Sequence, residues 1–552
     1  MREEARGVAW GRTQVAVKVS TRGNARKAGG ATGRHAHALA IVLAGLSLLG
    51  LSQGILRPAA AVAPGIGPQD VSWVDQFGTS ASDQVTGIAL DATGIYAAGT
   101  TAGAFPGQTS AGSVDGFVRR SDPDGGIVWA IQFGTPSLDS PQAVAASDAS
   151  VYVAGWTLGS FPGVASFGSM DVFVARFGAN GDLLWVRQFG TSTSERATGI
   201  AVDATGIYVV GTTSGALPGQ SQVGGADAFI RKYDGEGNAA WTRQFGTTAS
   251  DTATAVAAGA TGIYVIGFAS GALPGQAQAG GFDAFIRKYD GDGSEAWTRQ
   301  FGTSGTDVGW GIAVGGSAIY ATGTTTETFR GERNAGGQDG FVRCVDFEGN
   351  EIWTREFGTA GSDTPRGVSV DATPGFEGVY VVGSTTGTFP GLANAGGTDA
   401  FATMYDPVGN AVWVREFGSP ASDQALGVAT TYSDVYAVGL TNGAFFGAAS
   451  MGGQDAFLVK FALPPLEKIQ LVGGKIARLV ADGTLNRGEG NSLTVKLAAA
   501  ATQLERGNPS PAVHILHAFE NEVASLRAST RFSASEASLL IGWADNIIDQ
   551  ID

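Results

Sequence analysis

Apolar residues follow two rhythms along this chain. Between residues 71 and 461 they form short runs separated by glycine-, aspartate- and serine-rich punctuation, and after Pro464-Pro465 they recur at helical spacing. One stretch of the first region shows the pattern. Gly199-Ile200-Ala201-Val202 predicts a strand, a. Ile207–Thr213, apolar on consecutive positions, predicts a strand b buried on both faces. Ala228–Tyr233 predicts strand c, and Ala240–Phe245 strand d, with Trp241 and Phe245 sharing a face by the period of two. Asp234-Gly235-Glu236-Gly237-Asn238 between c and d reads as a tight hairpin whose glycines are free to take positive φ. The b–c link, Ser214–Gly225, is longer and holds Leu217-Pro218-Gly219; Gly246–Asp251 leads on to the next strand a.

This unit repeats. Trp-x-x-(Gln/Glu)-Phe-Gly recurs at Trp73, Trp129, Trp185, Trp241, Trp297, Trp353 and Trp413, spaced by 56 residues five times and then by 60. A tyrosine keeps the same register, from Tyr96 and Tyr152 to Tyr380 and Tyr436. An aspartate before phenylalanine does so too, from Asp115 to Asp455. The four extra residues, Pro374–Glu377, fall just ahead of Tyr380 and lengthen a turn. Seven four-stranded units, each needing two neighbours to bury its faces, predict a mainly β fold, a seven-bladed β-propeller. The chain opens on a lone d strand, Val71–Phe77, and the last unit stops after strand c at Phe461. The N-terminal strand is therefore expected to complete the last blade and close the ring. A tryptophan buried in each interface predicts a cost of about 3–5 kcal/mol for Trp241→Ala.

Composition agrees with short strands and many turns. Glycine supplies 85 of 552 residues, 43% of the chain is hydrophobic and only 15% is charged. That excludes a disordered or collagen-like chain. Formal charge is −15, yet the first 63 residues hold nine Arg/Lys against two Glu, leaving the remainder near −22. Such an acidic surface predicts no nucleic-acid partner, since nucleic acid is bound through Lys and Arg. The basic stretch from Arg2 to Arg34 precedes an apolar run, Leu39–Leu51. As a helix that run spans about 20 Å, short of a ~30 Å hydrocarbon core. It reads as the h-region of a secretory signal, with Ala59-Ala60-Ala61 as the cleavage site. Read on to Leu56, it is the alternative, an uncleaved anchor and the chain's one route to a membrane. Residues 1–63 are thus a leader, 64–462 the propeller and 463–552 a helical domain.

Cys344 is the only cysteine, which rules out an intramolecular disulfide; it takes a strand-c position held by Lys232 and Lys288 elsewhere. The four histidines, His35, His37, His514 and His517, leave residues 64–512 without one. That removes the usual general base, nucleophilic triads and His-based metal sites from the propeller.

In the tail, Leu466–Leu479 predicts a first helix. Leu493, Leu497, Ala500 and Leu504 mark a second, and Val513, Leu516, Phe519, Val523 and Leu526 a third. Leu539, Trp543, Ile547 and Ile551 mark a fourth, opened by the capping box Ser533-Ala534-Ser535-Glu536. Four short amphipathic helices predict a small bundle.

Two resemblances follow from these residues. Trp-x-x-Gln-Phe-Gly-Thr, Ser-Asp, Gly-Ile-Ala-Val-Asp, Tyr-Val-Val-Gly-Thr-Thr, Pro-Gly and Gly-Gly-x-Asp-Ala-Phe resemble the bacterial SBBP β-propeller repeat across all seven units. Departures are Glu195 for the Asp of Ser-Asp, and Arg330 and Phe446 for the proline of Pro-Gly. The resemblance implies an extracytoplasmic propeller and carries no common catalytic residues. Asn491-Ser492-Leu493, Lys496-Leu497, Ala500, Arg506-Gly507-Asn508 and Ala518–Val523 resemble the FIMAH domain of bacterial extracellular proteins. That family is helical and without an established catalytic role.

Candidate site residues come from two sources. Asp83, Asp139, Glu195, Asp251, Asp307, Asp363 and Asp423 repeat once per blade. They predict either a ring of acids able to take calcium, the one cofactor considered, or seven turn caps. Turn capping is favoured, since a feature of every blade serves the blade. The Asp before Ala-Phe or Gly-Phe reads as a loop fastener, and Asp122-x-Asp124 and Asp290-x-Asp292 as hairpin residues. Breaks in the repeat say more about a ligand. Trp156, Phe268 and Leu440 replace Thr or Ser in strand b, and Trp310 replaces the Thr of Thr86 and Thr198. Inter-blade packing and aromatic stacking on a ligand both suit them. His514 and His517 lack a third ligand for zinc. The resulting expectation is a secreted or surface-held, non-enzymatic binding or scaffold module for an extracellular protein or glycan. Two alternatives stand beside it. A carboxylate-only glycoside hydrolase or lyase needs two unrepeated acids within roughly 5–10 Å; a calcium-stabilised surface protein needs a ligand set.

Overall fold

The computed structural model describes residues 71–551 apart from 149, 372–377, 432–433, 530 and 532. The leader with its cleavage site, His35 and His37, and the Pro374–Glu377 insert lie outside the described residues. The repeat folds into seven four-stranded antiparallel sheets, each ordered a-b-c-d. Blade 3 is typical: Glu195–Asp203, Gly206–Thr213, Asp227–Tyr233 and Ala239–Phe245. Strand b is buried along its whole length in blade 1, because blades press on it from both sides. Blade 7 takes strands a, b and c from Asp423–Thr430, Asp434–Thr441 and Asp455–Ala462, and strand d from Val71–Phe77. Phe77 pairs with Ala456 and Trp73 with Lys460, so the two ends of the propeller are hydrogen-bonded into one sheet. A seven-bladed β-propeller closed by its N-terminal strand is thus the fold.

The repeated tyrosine, not the tryptophan, fills the inter-blade core. Tyr96, Tyr208 and Tyr264 are fully buried, whereas Trp73, Trp129, Trp185, Trp241 and Trp297 are only half-buried. Strand d is the outermost strand, so its indole lies across the next blade's c–d hairpin with one edge in solvent. There it stacks on a hairpin glycine. Gly293 has φ 82°, and a Cβ would stand 2.7 Å from the Trp241 ring. The expectation of seven buried tryptophans is corrected accordingly; Trp353 and Trp413 alone reach 7% and 2% exposure.

Four helices follow: α1 Pro465–Ala481, α2 Arg487–Glu505, α3 Pro509–Ala528 and α4 Ala534–Ile551. Pro464-Pro465 ends the strand, since proline supplies no ladder donor but suits the first helical turn. Ser533 and Glu536 form the expected reciprocal cap of α4. In α4 the buried stripe is Leu540, Trp543, Ala544, Ile547 and Ile548, one residue off the Leu539/Ile551 phase expected, and those two are only partly covered. The bundle and blade 7 share one continuous apolar core, in which Phe461 and Leu463 meet Ile469 and Val472 of α1. Among the described residues no helix is long and apolar enough to cross a membrane.

Candidate functional site

The blades meet at strand a, and every strand a carries a β-bulge at one place. In blade 1, Val85 pairs with Gly99 and Gly87 with Ala98, leaving Thr86 out of register. The same shift recurs in all the other blades. A bulge re-aims its extra side chain, here into a central channel of about 190 Å³. Thr86, Gln142, Thr198, Thr254, Trp310, Arg366 and Leu426 form the resulting ring. Beside it a ring of glycine and alanine brings neighbouring strands together; a Cβ on Gly199 would stand 3.0 Å from the Ala255 Cα. The rest of the lining is glycine, alanine, valine and isoleucine, so the channel's polar chemistry sits at the bulge ring.

That ring is unequal. Three threonines bind the framework: Thr198 Oγ1 donates to Ala253 O and Thr254 Oγ1 to Gly309 O, each at 2.7 Å, and Thr86 Oγ1 to Pro141 O at 3.0 Å. Gln142 turns back on Ser140 Oγ at 2.8 Å. On the other side the Arg366 guanidinium lies 4.1 Å from the centroid of the Trp310 ring, a cation–π geometry. Burial holds the Arg366 pKa below the ordinary guanidinium value, yet arginine stays charged at any physiological pH. Among the described residues lining the channel, Arg366 is the only charged side chain. Phe268 completes the patch, edge-on to Trp310 at 6.4 Å and to Phe282 at 5.2 Å. Trp156 stands apart in blade 2, with the Arg196 guanidinium 5.4 Å from its ring. Leu440 is buried between blades.

The structure thus brings Phe268 and Trp310 together and keeps Trp156 at a second spot. Arg366, Gln142 and Leu426 escape a reading of the sequence that looks for aromatic breaks only. They occupy the Thr86 position of their own repeats, so aligning all seven units at that position would have exposed them. Around the same face the b–c loops present exposed apolar side chains, Leu158, Phe167, Val223, Phe282 and Met451.

The once-per-blade acids are placed differently. Asp83, Asp139, Glu195, Asp251, Asp307, Asp363 and Asp423 are all at most 1% exposed, so they present no ring of acids to solvent. Each caps the turn that precedes it: the Thr247 amide donates to Asp251 Oδ2 at 2.5 Å and the Thr135 amide to Asp139 Oδ2 at 2.6 Å. Glu195 does the same at 2.6 Å with a longer arm. Burial pushes the pKa of Asp139, Asp251, Asp307, Asp363 and Asp423 upward. Among the described residues no three His, Cys, Asp or Glu side chains gather as a metal site. His517 Nδ1 lies 2.9 Å from Glu520 Oε2, and His514 is exposed on α3. Asp122 accepts from the amides of Asp124 and Gly126, holding its own hairpin. Cys344 is buried.

Known proteins share parts of this architecture. Residues 470–549 match the FIMAH domain, so the helical bundle is a FIMAH domain carried on a β-propeller. The regulatory protein FlaEY of Caulobacter vibrioides is 29% identical over 169 residues, 28% of this chain and 18% of that protein. The chain therefore spans under a fifth of the length of that curated relative. Among solved structures, the WD40 domain of Neurospora crassa Pan2 is similar at 10% identity over 72% of this chain and 98% of that one, with a TM-score of 0.41. The WD40 propeller of Doa1 is similar at 9% identity over 70% and 96%, with a TM-score of 0.38. The propeller assignment rests on the strand pairing itself.

Proposed function

We propose that the protein is a secreted or cell-surface SBBP-type propeller that binds an extracellular protein or glycan at the loop-face mouth of its channel. One observation carries this reading: at a bulge position that the fold aims into the channel, the repeat gives way to Arg366 stacked on Trp310. A purely structural ring has no need to differ from blade to blade. The pair offers a flat face beside fixed hydrogen-bond donors, a combination suited to a planar or carboxylate-bearing group. The exposed apolar b–c loops around it add contact area of the kind that marks interaction surfaces. The basic, apolar leader and the acidic remainder support export and an absence of nucleic-acid partners. The carboxylate-only enzyme reading finds no support at the channel, whose described lining residues include no Asp or Glu. The calcium reading loses the seven repeated acids, which are already engaged by turn amides.

A glycan and peptide array, run with and without calcium, tests the proposal with wild-type protein and Arg366→Ala. Binding that falls about tenfold or more in the variant, roughly 1.4 kcal/mol, supports it. Silence of the wild type in both conditions, or binding indifferent to Arg366→Ala and Trp310→Ala, refutes the site.

A further inference from the structure

A second break in the repeat lies away from the channel, inside each blade, where strand d meets strand c and the b–c loop. The residue before Phe-Gly in strand d is glutamine in five blades: Gln76, Gln132, Gln188, Gln244 and Gln300. Each amide group serves two partners of opposite kind. Gln300 Oε1 accepts from the Leu273 amide at 2.8 Å, while its Nε2 donates to Gly271 O and to Asp283 Oδ2, both at 3.0 Å. Gln76 makes the same set, donating to Gly443 O at 2.9 Å and to Asp455 Oδ2 at 2.7 Å. The amide thus gives a buried carboxylate one of its donors.

In blades 5 and 6 glutamate takes this place, as Glu356 and Glu416. The accepting half survives: Glu356 Oε2 takes the Phe329 amide and Glu416 Oε2 the Phe389 amide, each at 3.0 Å. The donating half does not, because an oxygen now stands where the amide nitrogen stood. Glu356 Oε1 and Glu416 Oε1, in the place of that nitrogen, are buried without a hydrogen-bond partner. The carboxyl groups of Glu356 and Asp339, and those of Glu416 and Asp399, are within hydrogen-bonding reach of one another. Two ionised carboxylates in that position repel and lack water; one added proton restores the missing donor. We infer that each of these two blades holds a proton at neutral pH, shared between Glu356 and Asp339 in blade 5 and between Glu416 and Asp399 in blade 6, so that the stability of both blades is proton-linked.

The surroundings agree. Facing Glu356 are Asp339 on strand c, Glu332 on the b–c loop and Asp307 on strand a; Asp363 of the next blade faces Asp339. The nearby cation, Arg355, is turned to Glu332 at 3.7 Å. Facing Glu416 are Asp399 and Asp363, with Asp423 beyond Asp399. Burial is the largest influence and these acids add to it, pushing both glutamates up to about 7. The sign follows from linkage. The folded chain keeps protons that the unfolded chain has released, so stability from this source is full below the ordinary glutamate value and is lost as pH rises through about 7.

The test uses the full chain and Glu356→Gln/Glu416→Gln, which restores the side chain the other five blades use and so preserves the fold. Carboxyl ¹³C titration of glutamate-labelled protein should show two groups titrating near neutrality, both missing from the double variant and one from each single variant. Thermal unfolding of the wild type should come several degrees lower at pH 8 than at pH 6, with most of that difference gone in the double variant. Glutamate carboxyls that all titrate below about pH 5.5, within the ordinary range, overturn the inference. So does a double variant with the wild-type pH dependence.

Discussion

The seam between blades 3 and 4 and the seam between blades 6 and 7 start from the same strand-d motif, a tryptophan with an arginine two residues on, and end differently. At the first, Trp241 Nε1 donates to Gly291 O of the next hairpin at 3.2 Å and Arg243 Nε to Gly293 O at 2.8 Å. At the second there is no hairpin. Strand c of blade 7 runs on into α1, and its strand d arrives from the other end of the propeller. Trp413 joins the apolar cluster of Leu463, Ile469 and Val472, with the Arg415 guanidinium 4.3 Å from its ring centroid. Arg415 pairs at 2.8 Å with Glu467 of α1 instead of a hairpin carbonyl. Trp413 Nε1 is buried without the carbonyl its six equivalents find. The repeat therefore builds a socket at every seam, and ring closure by the N-terminal strand leaves one socket empty for the FIMAH domain to fill. A tail of unrelated periodicity has become part of the propeller's closure.

The largest test of that difference removes the tail. A chain ending at Leu463 uncovers Trp413, Phe461 and Leu463, each worth about 1.5–3 kcal/mol of burial. Its propeller should lose about 5 kcal/mol or more, read as an earlier thermal or denaturant midpoint. An unchanged midpoint would make the helical domain a passenger. Next, Trp413→Ala should cost about 3–5 kcal/mol, while Trp241→Ala, with its indole half in solvent, should cost about 2 kcal/mol. Equal losses would mean that α1 adds nothing to a hairpin. The smallest effect belongs to the hairpin alone. Gly293→Ala pays for positive φ and for a Cβ driven against Trp241, about 1–3 kcal/mol. Gly483→Ala, also at positive φ but with open space around it, should stay near 1 kcal/mol. If the two alanines cost the same, the glycine–indole contact is not what fixes the clasp.

Much of this was legible in the residues because it depends on near neighbours. The strand boundaries of blade 3 follow from alternation and turn glycines, and ring closure follows from counting an unpaired d strand against an unpaired c strand. The turn-capping role of Asp251 is a four-residue matter and was equally open to inspection. The burial of Trp241 is not legible there, because a strand's distance from the propeller axis is not written in its own pattern. Arg366 is equally hidden, because its repeat position looks like an ordinary exposed strand residue until the bulge turns it inward. Glu356 and Glu416 were visible as departures from glutamine, but nothing local announces that the opposite partner is a buried carboxylate.

By itself the sequence determined the blade number, the strand order, the closing strand and the four helices. Those rest on periods of two and 3.6 residues and on a fixed repeat length. Only the tertiary structure decided which side chains meet at the axis, which carboxyls face each other inside a blade and what fills the seventh socket. Arg366 meets a residue one whole repeat away, and Arg415 meets Glu467 in another domain. Contacts of that kind depend on bulge register and ring closure, which no window of the chain contains.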